Sequence, residues 1–398
     1  MRSLVFVGIV GASLCLSFGI ACAQEPTDAK VEAAPRVSNV DVHVSSEVDA
    51  YADTDHVFVV SPSIAGSLSN PVTGWKVGGR YLVDVVSAAS VDIVSTASRR
   101  WEEVRHAGSV DGSYKLGDFG VGAGGVVSIE PDYQSYAGGG SITRDLLDKN
   151  LTLLVGYSHG HDIGGRTGTP FSVFSRTLDI NGFKGGATVL VSASTLVSLV
   201  GDVIHEAGDP SKPYRYVPLF APGTQLPLGA SAAVVTQSLS ARALEQLPLK
   251  RDRFSLSARL AHRFTLSTVR VDERVYIDTW GLKASTLDGR FIFDVGRRLS
   301  LGPHVRLHGQ TSVDFWQRAY ALRPGSDLPA LRTGDRELGP LINVTGGGTI
   351  RYHVGPAANP RSWVLGVDLG LTSTHYLDDI YVTHRLSSIG ALMMEVDL

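Results

Sequence analysis

Residues 253–264 read Arg253-Phe254-Ser255-Leu256-Ser257-Ala258-Arg259-Leu260-Ala261-His262-Arg263-Phe264. Phe254, Leu256, Ala258, Leu260 and Phe264 share one parity, against Arg253, Ser255, Ser257, Arg259 and Arg263 on the other. A β-strand sends successive side chains to opposite faces, so this stretch presents one apolar and one charged surface. The pattern recurs on both sides of it. Upstream, Trp75, Val77, Gly79, Tyr81, Val83 and Val85 oppose Lys76, Gly78, Arg80 and Asp84. Downstream, Val269, Val271, Val275 and Ile277 oppose Arg270, Asp272, Arg274 and Asp278. Val305, Leu307, Val313 and Phe315 then oppose His304, Arg306, His308 and Asp314, and Trp363 to Leu371 repeats the alternation.

A half-buried sheet in a soluble sandwich would alternate in the same way, so the connections have to decide. They alternate between short and long, as a transmembrane barrel requires with tight periplasmic turns and larger external loops. The short ones are placed at Asn70 to Thr73, Leu116 to Asp118, Asp148 to Asn150, Ser192 to Ser194, Leu299 to Gly302 and Val354 to Pro360. The long ones are placed at Ser87 to Arg100, His159 to Pro170, Ala207 to Lys250 and Arg318 to Pro340. Trp75, Trp101, Tyr157, Trp316, Trp363 and Tyr376 lie near strand ends, where amphipathic rings suit a membrane interface. The expected fold is therefore all-β: a transmembrane up-and-down antiparallel β-barrel of about sixteen strands, within about fourteen to eighteen. The last strand carries Leu392, Met394, Val396 and Leu398 at every second position, with leucine where such barrels usually end on an aromatic residue.

Totals are consistent with this reading and exclude others. Mean hydropathy is only +0.08, as expected when apolar and polar faces average out. After residue 23 no run of 18 or more apolar residues exists, so no mature membrane helix is expected. A net charge of −3 supplies no broad basic field for nucleic acid. Residues 1–23 read as a signal peptide: Arg2, an apolar stretch from Leu4 to Ile20, then Ala21-Cys22-Ala23. Residues 24–41 read as a flexible periplasmic lead-in and 42–398 as the barrel, which places the protein in the outer membrane after export. The alternative at the cut is a lipoprotein acylated at Cys22. Both cysteines, Cys15 and Cys22, fall within the leader, so a chain cut after Ala23 has no disulfide and no thiolate chemistry.

The stretch Leu82-Val83-Asp84-Val85-Val86-Ser87-Ala88-Ala89-Ser90-Val91-Asp92 is similar to a motif of an outer-membrane barrel family of unknown function, domain of unknown function 3570. Ser95 to Ser98, Glu102 to His106, Gly160-His161-Asp162, Gly168 to Phe174 and Lys212 to Phe220 continue the similarity. The resemblance spans nearly all of the mature chain. It implies a barrel with elaborated external loops, and no particular reaction or substrate.

The polar faces supply the candidate site. Lys76, Arg80, Asp84, Arg259, Arg263, Arg270, Asp272, Arg274, Asp278, Asp288, Arg290, Asp294, His304, Arg306, His308 and Asp314 are expected to line the lumen. An arginine on the lipid face near the midplane would cost about 2–4 kcal/mol, which favours the inward placement. Such a lining suits a passive pore or transporter for a small polar solute. It also suits a ladder of ion pairs that plugs the barrel, leaving external loops to bind a partner or to anchor at the surface. A barrel enzyme acting on lipid is the third reading. Gly156-Tyr157-Ser158-His159-Gly160 matches the nucleophile-elbow pattern in letters, but the glycines and proline up to Pro170 leave no room for the helix it needs. No catalytic residue and no cofactor are expected. His159, His161 and Asp162 are the compact metal-ligand candidates, read as a plain loop, and Asp53-Thr54-Asp55 as a polar external turn. The expected partners are outer-membrane lipid and lipopolysaccharide, with barrel-assembly machinery during biogenesis.

Overall fold

The computed structural model describes residues 40–88, 101–322, 325, 327–355 and 362–398. The signal peptide, most of the lead-in and Cys22 lie outside them, as do Ala89 to Arg100 and residues 356–361.

Sixteen strands close into one antiparallel barrel. In chain order they begin with β1 (Asp41–Asp53), β2 (Phe58–Asn70), β3 (Trp75–Ala88), β4 (Trp101–Leu116), β5 (Phe119–Glu130) and β6 (Tyr133–Leu146). Next come β7 (Leu151–Gly164), β8 (Arg176–Ser192) and β9 (Thr195–Gly208). A loop sheet intervenes with β10 (Tyr216–Phe220) and β11 (Leu239–Leu244), separated by a helical turn, α1 (Ala232–Ser238). The wall resumes with β12 (Lys250–Arg263), β13 (Ser267–Asp278), β14 (Lys283–Val295) and β15 (Leu299–Gln310). After β16 (Tyr320–Ala321), which joins the loop sheet, it ends with β17 (Leu341–Val354), β18 (Trp363–Tyr376) and β19 (His384–Asp397). Every wall strand pairs with its neighbour along the chain, and β19 closes on β1 from His43 opposite Asp397 to Asp53 opposite Ser387.

Register assigns the two faces. Phe254 lies beside Val203 and Ile277, and Leu256 beside Val275, so apolar side chains of successive strands form continuous outer rows. Leu369, Leu371 and Leu392 on those rows are 60%, 58% and 63% exposed. A water-soluble protein does not present such a contiguous apolar surface, so the band is a lipid-facing one. The protein is a membrane-spanning β-barrel. Glu273 is an exception on this face: it lies opposite Ala258 and Leu287, and Ser285 Oγ donates to it at 2.6 Å.

The connections fall into two sets. At the end holding both termini the turns are brief: 71–74, 117–118, 147–150, 193–194, 264–266 and 296–298. Asn70 Oδ1 accepts from the backbone N–H groups of Val72 and Thr73, both at 3.0 Å, and Gly74 (φ 81°) closes that turn against the Lys115 carbonyl, where any Cβ would collide. The turn expected at Leu299 to Gly302 is displaced: those residues belong to β15, and the chain reverses over Gly296 (φ 74°), Arg297 and Arg298. At the opposite, loop-bearing end the segments 209–249 and 311–340 are the long described connections. The turns at 54–57, 131–132 and 279–282 are as short as those at the other end. Asp53 Oδ1 shapes the first of these, accepting from the N–H of Asp55 at 2.9 Å and Val57 at 3.0 Å.

The long segments fold together. β10 pairs antiparallel with β11 and parallel with β16, around buried Val217, Leu219 and Tyr320. Tyr320 Oη donates to the carbonyls of Phe315 and Thr333 and accepts from Thr333 N–H, and burial pushes its phenol up to about 12.

Candidate functional site in the lumen and its mouth

The residues on the inner parity of β12 to β15 form a ladder of ion pairs. Asp272 is shared between Arg259 Nε at 2.5 Å and Arg270 Nε at 2.6 Å. Arg263 reaches Asp294 at 2.7 Å and Arg290 reaches Asp288 at 3.1 Å. Arg274 donates to Ser255 Oγ at 3.1 Å, and His308 Nδ1 lies 2.8 Å from Thr286 Oγ1. His304 and Arg306 share this parity. On the far wall Arg80 bonds Glu47 at 3.1 Å and Ser63 at 2.9 Å, and Arg105 Nε bonds Asp84 at 2.6 Å. Lys76 and Arg306 are exposed and have no counter-charge among the described residues. These pairs hold side chains against the wall while leaving polar atoms for water.

Two expected lining residues have other jobs. Asp278 ends β13 at the loop-bearing rim, where it accepts from Arg251 Nε at 2.9 Å, Tyr276 Oη at 2.8 Å and Trp280 N–H at 2.9 Å. Asp314 is not on the wall, because β15 stops at Gln310. It lies in the following loop, with its N–H bonded to the Trp280 carbonyl and its carboxylate against Gly281. Val313, expected on an apolar strand face, is buried instead with Leu247, Trp280, Leu282 and Leu338.

The histidine cluster also differs from expectation. His159, His161 and Asp162 are not in a loop, since β7 runs on to Gly164. Parity then separates them. His161 pairs with outward Asp179 at 2.7 Å and His159 with Asn181 at 3.1 Å, while Asp162 points inward to Tyr133 Oη at 2.5 Å. Three ligands cannot converge from two faces of one strand. Ser158 is likewise mid-strand, with six more β residues after it, so no nucleophile elbow forms. Of the rings expected at the interface, Tyr376 faces the lumen and Trp316 is held in the loop by its Nε1–H to the Asp335 carbonyl at 2.9 Å.

The mouth at the loop-bearing end is crossed by two pieces of chain. Segment 211–215 attaches to one wall: Arg176 Nη1 donates to the Ser211 carbonyl at 2.8 Å, and the Lys212 ammonium stands 5.1 Å from the Tyr133 ring centroid. Segment 335–339 attaches to the other. Arg336 lies 2.7 Å from Asp55, while Glu337 accepts from Tyr376 Oη at 2.9 Å and from Arg385 at 3.3 Å. Gln310 Nε2 donates to the Glu337 and Gly339 carbonyls at 2.9 and 2.8 Å. An Arg215–Asp335 ion pair joins the two segments. Arg176 on β8 and Tyr376 on β18 anchor its two ends, and these strands stand seven positions apart in the ring of sixteen, so the strap crosses the mouth close to a diameter. Burial raises the Asp55 carboxyl above its ordinary range, more than the facing Arg336 lowers it.

Beside the strap lies a cavity of about 220 Å³, lined by residues of β6 to β9, β12 and the two loops. Leu178, Ile180 and Ile204 face inward there, interrupting the polar lining. Sequence reading missed these three and Arg251, although Arg251 shares parity with Arg253, Arg259 and Arg263; Arg253 stands on the charged face of the sequence but not among the expected lumen residues. Close by, Glu103, Glu130 and Asp132 bring carboxylate oxygens within 4.8 Å of one another, each with further partners.

Residues 179–368 match DUF3570, described as a protein of unknown function. The matched stretch includes the Lys212 to Phe220 motif; those at Leu82 to His106 and Gly160 to Phe174 precede it. No curated protein matches the chain in sequence. Among solved structures, CdiB from Acinetobacter baumannii aligns at 9% identity and TM-score 0.47 over 90% of this chain and 60% of that one. Pseudomonas aeruginosa OprD aligns at 9% identity and TM-score 0.41 over 92% and 97% of the two chains. The outer membrane protein opdK of the same organism gives 9%, 0.43, 90% and 99%. The chain spans 60%, 57% and 54% of the length of CdiB and of two siderophore receptors that it also resembles. At these identities and scores the likenesses bear on neither solute nor partner.

Proposed function

We propose that the protein is a passive channel for small polar solutes, exported by residues 1–23 and narrowed at its outer mouth by the strap. The observation that carries this is the closed ring of sixteen strands with paired charges along its inner face. A ring of this size encloses an aqueous space unless loops fill it, and opposite charges held to the wall let water and polar solutes pass between them. Nothing in this reading asks the chain to do chemistry. Lipid and lipopolysaccharide against the outer rows, and barrel-assembly machinery acting on the last strand, complete the proposal.

The strap favours a second reading, in which the mouth is shut and the loops serve a surface partner. Planar-bilayer recordings separate the two. Pure folded protein is expected to give discrete conductance steps, and Arg336→Met with Asp55→Asn to enlarge them or lengthen open times. Silence from both proteins rejects the channel. Silence from the parent with steps from the double variant makes the strap a plug.

A further inference from the structure

The cavity beside the strap has hydrogen-bonding groups that its own residues do not complete. Its arginines are all engaged: Arg176 with Asp209 at 3.2 Å, Arg253 with Glu206, Arg251 with Asp278, and Arg215 with Asp335. Lys212 is different. Its ammonium has the Tyr133 ring beneath it, and no hydrogen-bonded or ion-paired acceptor among the described residues. Asp162, 4% exposed, receives one hydrogen bond from Tyr133 Oη on Oδ2, while Oδ1 has no partner. Lys212 and Asp162 attract one another in this cavity without a hydrogen bond between them, so both keep hydrogen-bonding capacity, as Glu245 Oε2 in the same lining does. A buried carboxylate oxygen and a half-buried ammonium that make no hydrogen bond to protein are unfavourable, so the arrangement favours whatever supplies both missing hydrogen-bond partners.

We propose that this cavity is a binding subsite for a small zwitterion, with its ammonium on Asp162 and its carboxylate on Lys212. The apolar strip of Leu178, Ile180 and Ile204, with Trp280 across the cavity, takes an aliphatic side chain. A volume of about 220 Å³ equals the share of about seven liquid waters, which suits an amino-acid-sized solute and no polymer. The inference names a solute class for the channel proposed above and so rests on that reading for its physiological meaning; the binding itself does not.

The test uses the folded full chain in detergent and three matched probes read by tryptophan fluorescence and calorimetry. These are L-leucine, 3-methylbutan-1-amine (leucine without its carboxylate) and 4-methylpentanoate (leucine without its ammonium). Leucine is expected to bind, and each single-charge probe to bind about tenfold or more weakly, since each leaves one of the two groups without its charged hydrogen-bond partner. Asp162→Asn should weaken leucine and the amine but spare 4-methylpentanoate; Lys212→Met should weaken leucine and 4-methylpentanoate but spare the amine. Circular dichroism and heat-modifiable migration check that both variants fold, and a third variant, Lys212→Arg, should retain leucine. Equal binding of all three probes, or variant effects that ignore probe charge, overturns the proposal. No binding of any probe also overturns it, and then the cavity holds water only. Conductance steps in the bilayer with no leucine binding would sink the subsite and leave the channel, whereas binding without steps would do the reverse.

Discussion

The inner wall has two unlike arcs. From β4 to β7 the middle of the inner face is mostly small, with Ser109 and Ser113, Gly120, Gly122 and Gly124, Gly139 and Ser141, Gly156 and Ser158 beside the larger Asp111, Lys115 and Leu154. From β12 to β15 they are long and charged, with Arg259, Arg263, Arg270, Asp272, Asp288, Arg290 and Arg306 in one field. Glycine on the first arc is part of this economy of space: a Cβ on Gly139 would sit 2.6 Å from the Tyr157 carbonyl oxygen, and one on Gly124 2.8 Å from that of Val110. A barrel built this way separates two tasks. The small arc leaves the open path, and the charged arc sets the field along it.

The largest effect should come from filling the small arc. Ser109→Trp is expected to cut single-channel conductance by roughly half or more, because pore current follows the narrowest free cross-section. Thr286→Trp on the charged arc should do much less, where the space is already occupied; equal loss from both would abolish the distinction. Next comes the field. Asp272→Asn leaves Arg259 and Arg270 without their shared carboxylate, so reversal potentials in a salt gradient should move toward anion selectivity. The fold should lose about 1 kcal/mol in urea, the scale of a partly exposed pair.

A smaller effect concerns the strap. Since Asp55 takes up a proton at higher pH than its ordinary 3.8, the Arg336 ion pair should be lost as pH falls through that raised value, before exposed carboxylates titrate. Mouth fluctuations should therefore increase on mild acidification and be pH-independent over that window in Asp55→Asn. The smallest effect on the current concerns the charged arc's outer face. Glu273→Leu should stabilise the barrel in lipid by about 1 kcal/mol or somewhat more, since an acidic side chain near the midplane costs less than a basic one there.

Where the sequence was legible follows from what surrounds each strand. Inside the hydrocarbon band one face must be apolar, so period 2 is plain from Trp75 to Val85 and from Phe254 to Leu260. Above the band that constraint lapses. His159, His161, Asp179, His205 and Asp252 all face outward in the upper parts of β7, β8, β9 and β12, joined as His161–Asp179 and His205–Asp252 pairs. Polar residues then occupy both faces, and a continuing strand reads as a loop; the early end assigned at His159 has that cause. The turn at Gly296 was missed because Arg297 and Arg298 look like more lumen charge. Asp314 was misplaced because Val313 and Phe315 keep the alternation after the chain has left the wall. The inner charges of β12 to β14 were readable one by one. The cavity was not, since Lys212 and Asp162 meet only when a loop folds back across the mouth, and nothing in local periodicity encodes that.

Thiol modification of paired single-cysteine variants tests the central claim most directly, because the only natural cysteines are Cys15 and Cys22. Ser141 faces the lumen and its neighbour Ile142 faces lipid. A bulky, charged, water-soluble thiol reagent added during recording should lower the current of Ser141→Cys in steps and leave that of Ile142→Cys unchanged. Block through Ile142→Cys with none through Ser141→Cys, or no block through either, would contradict a channel that runs along this inner face.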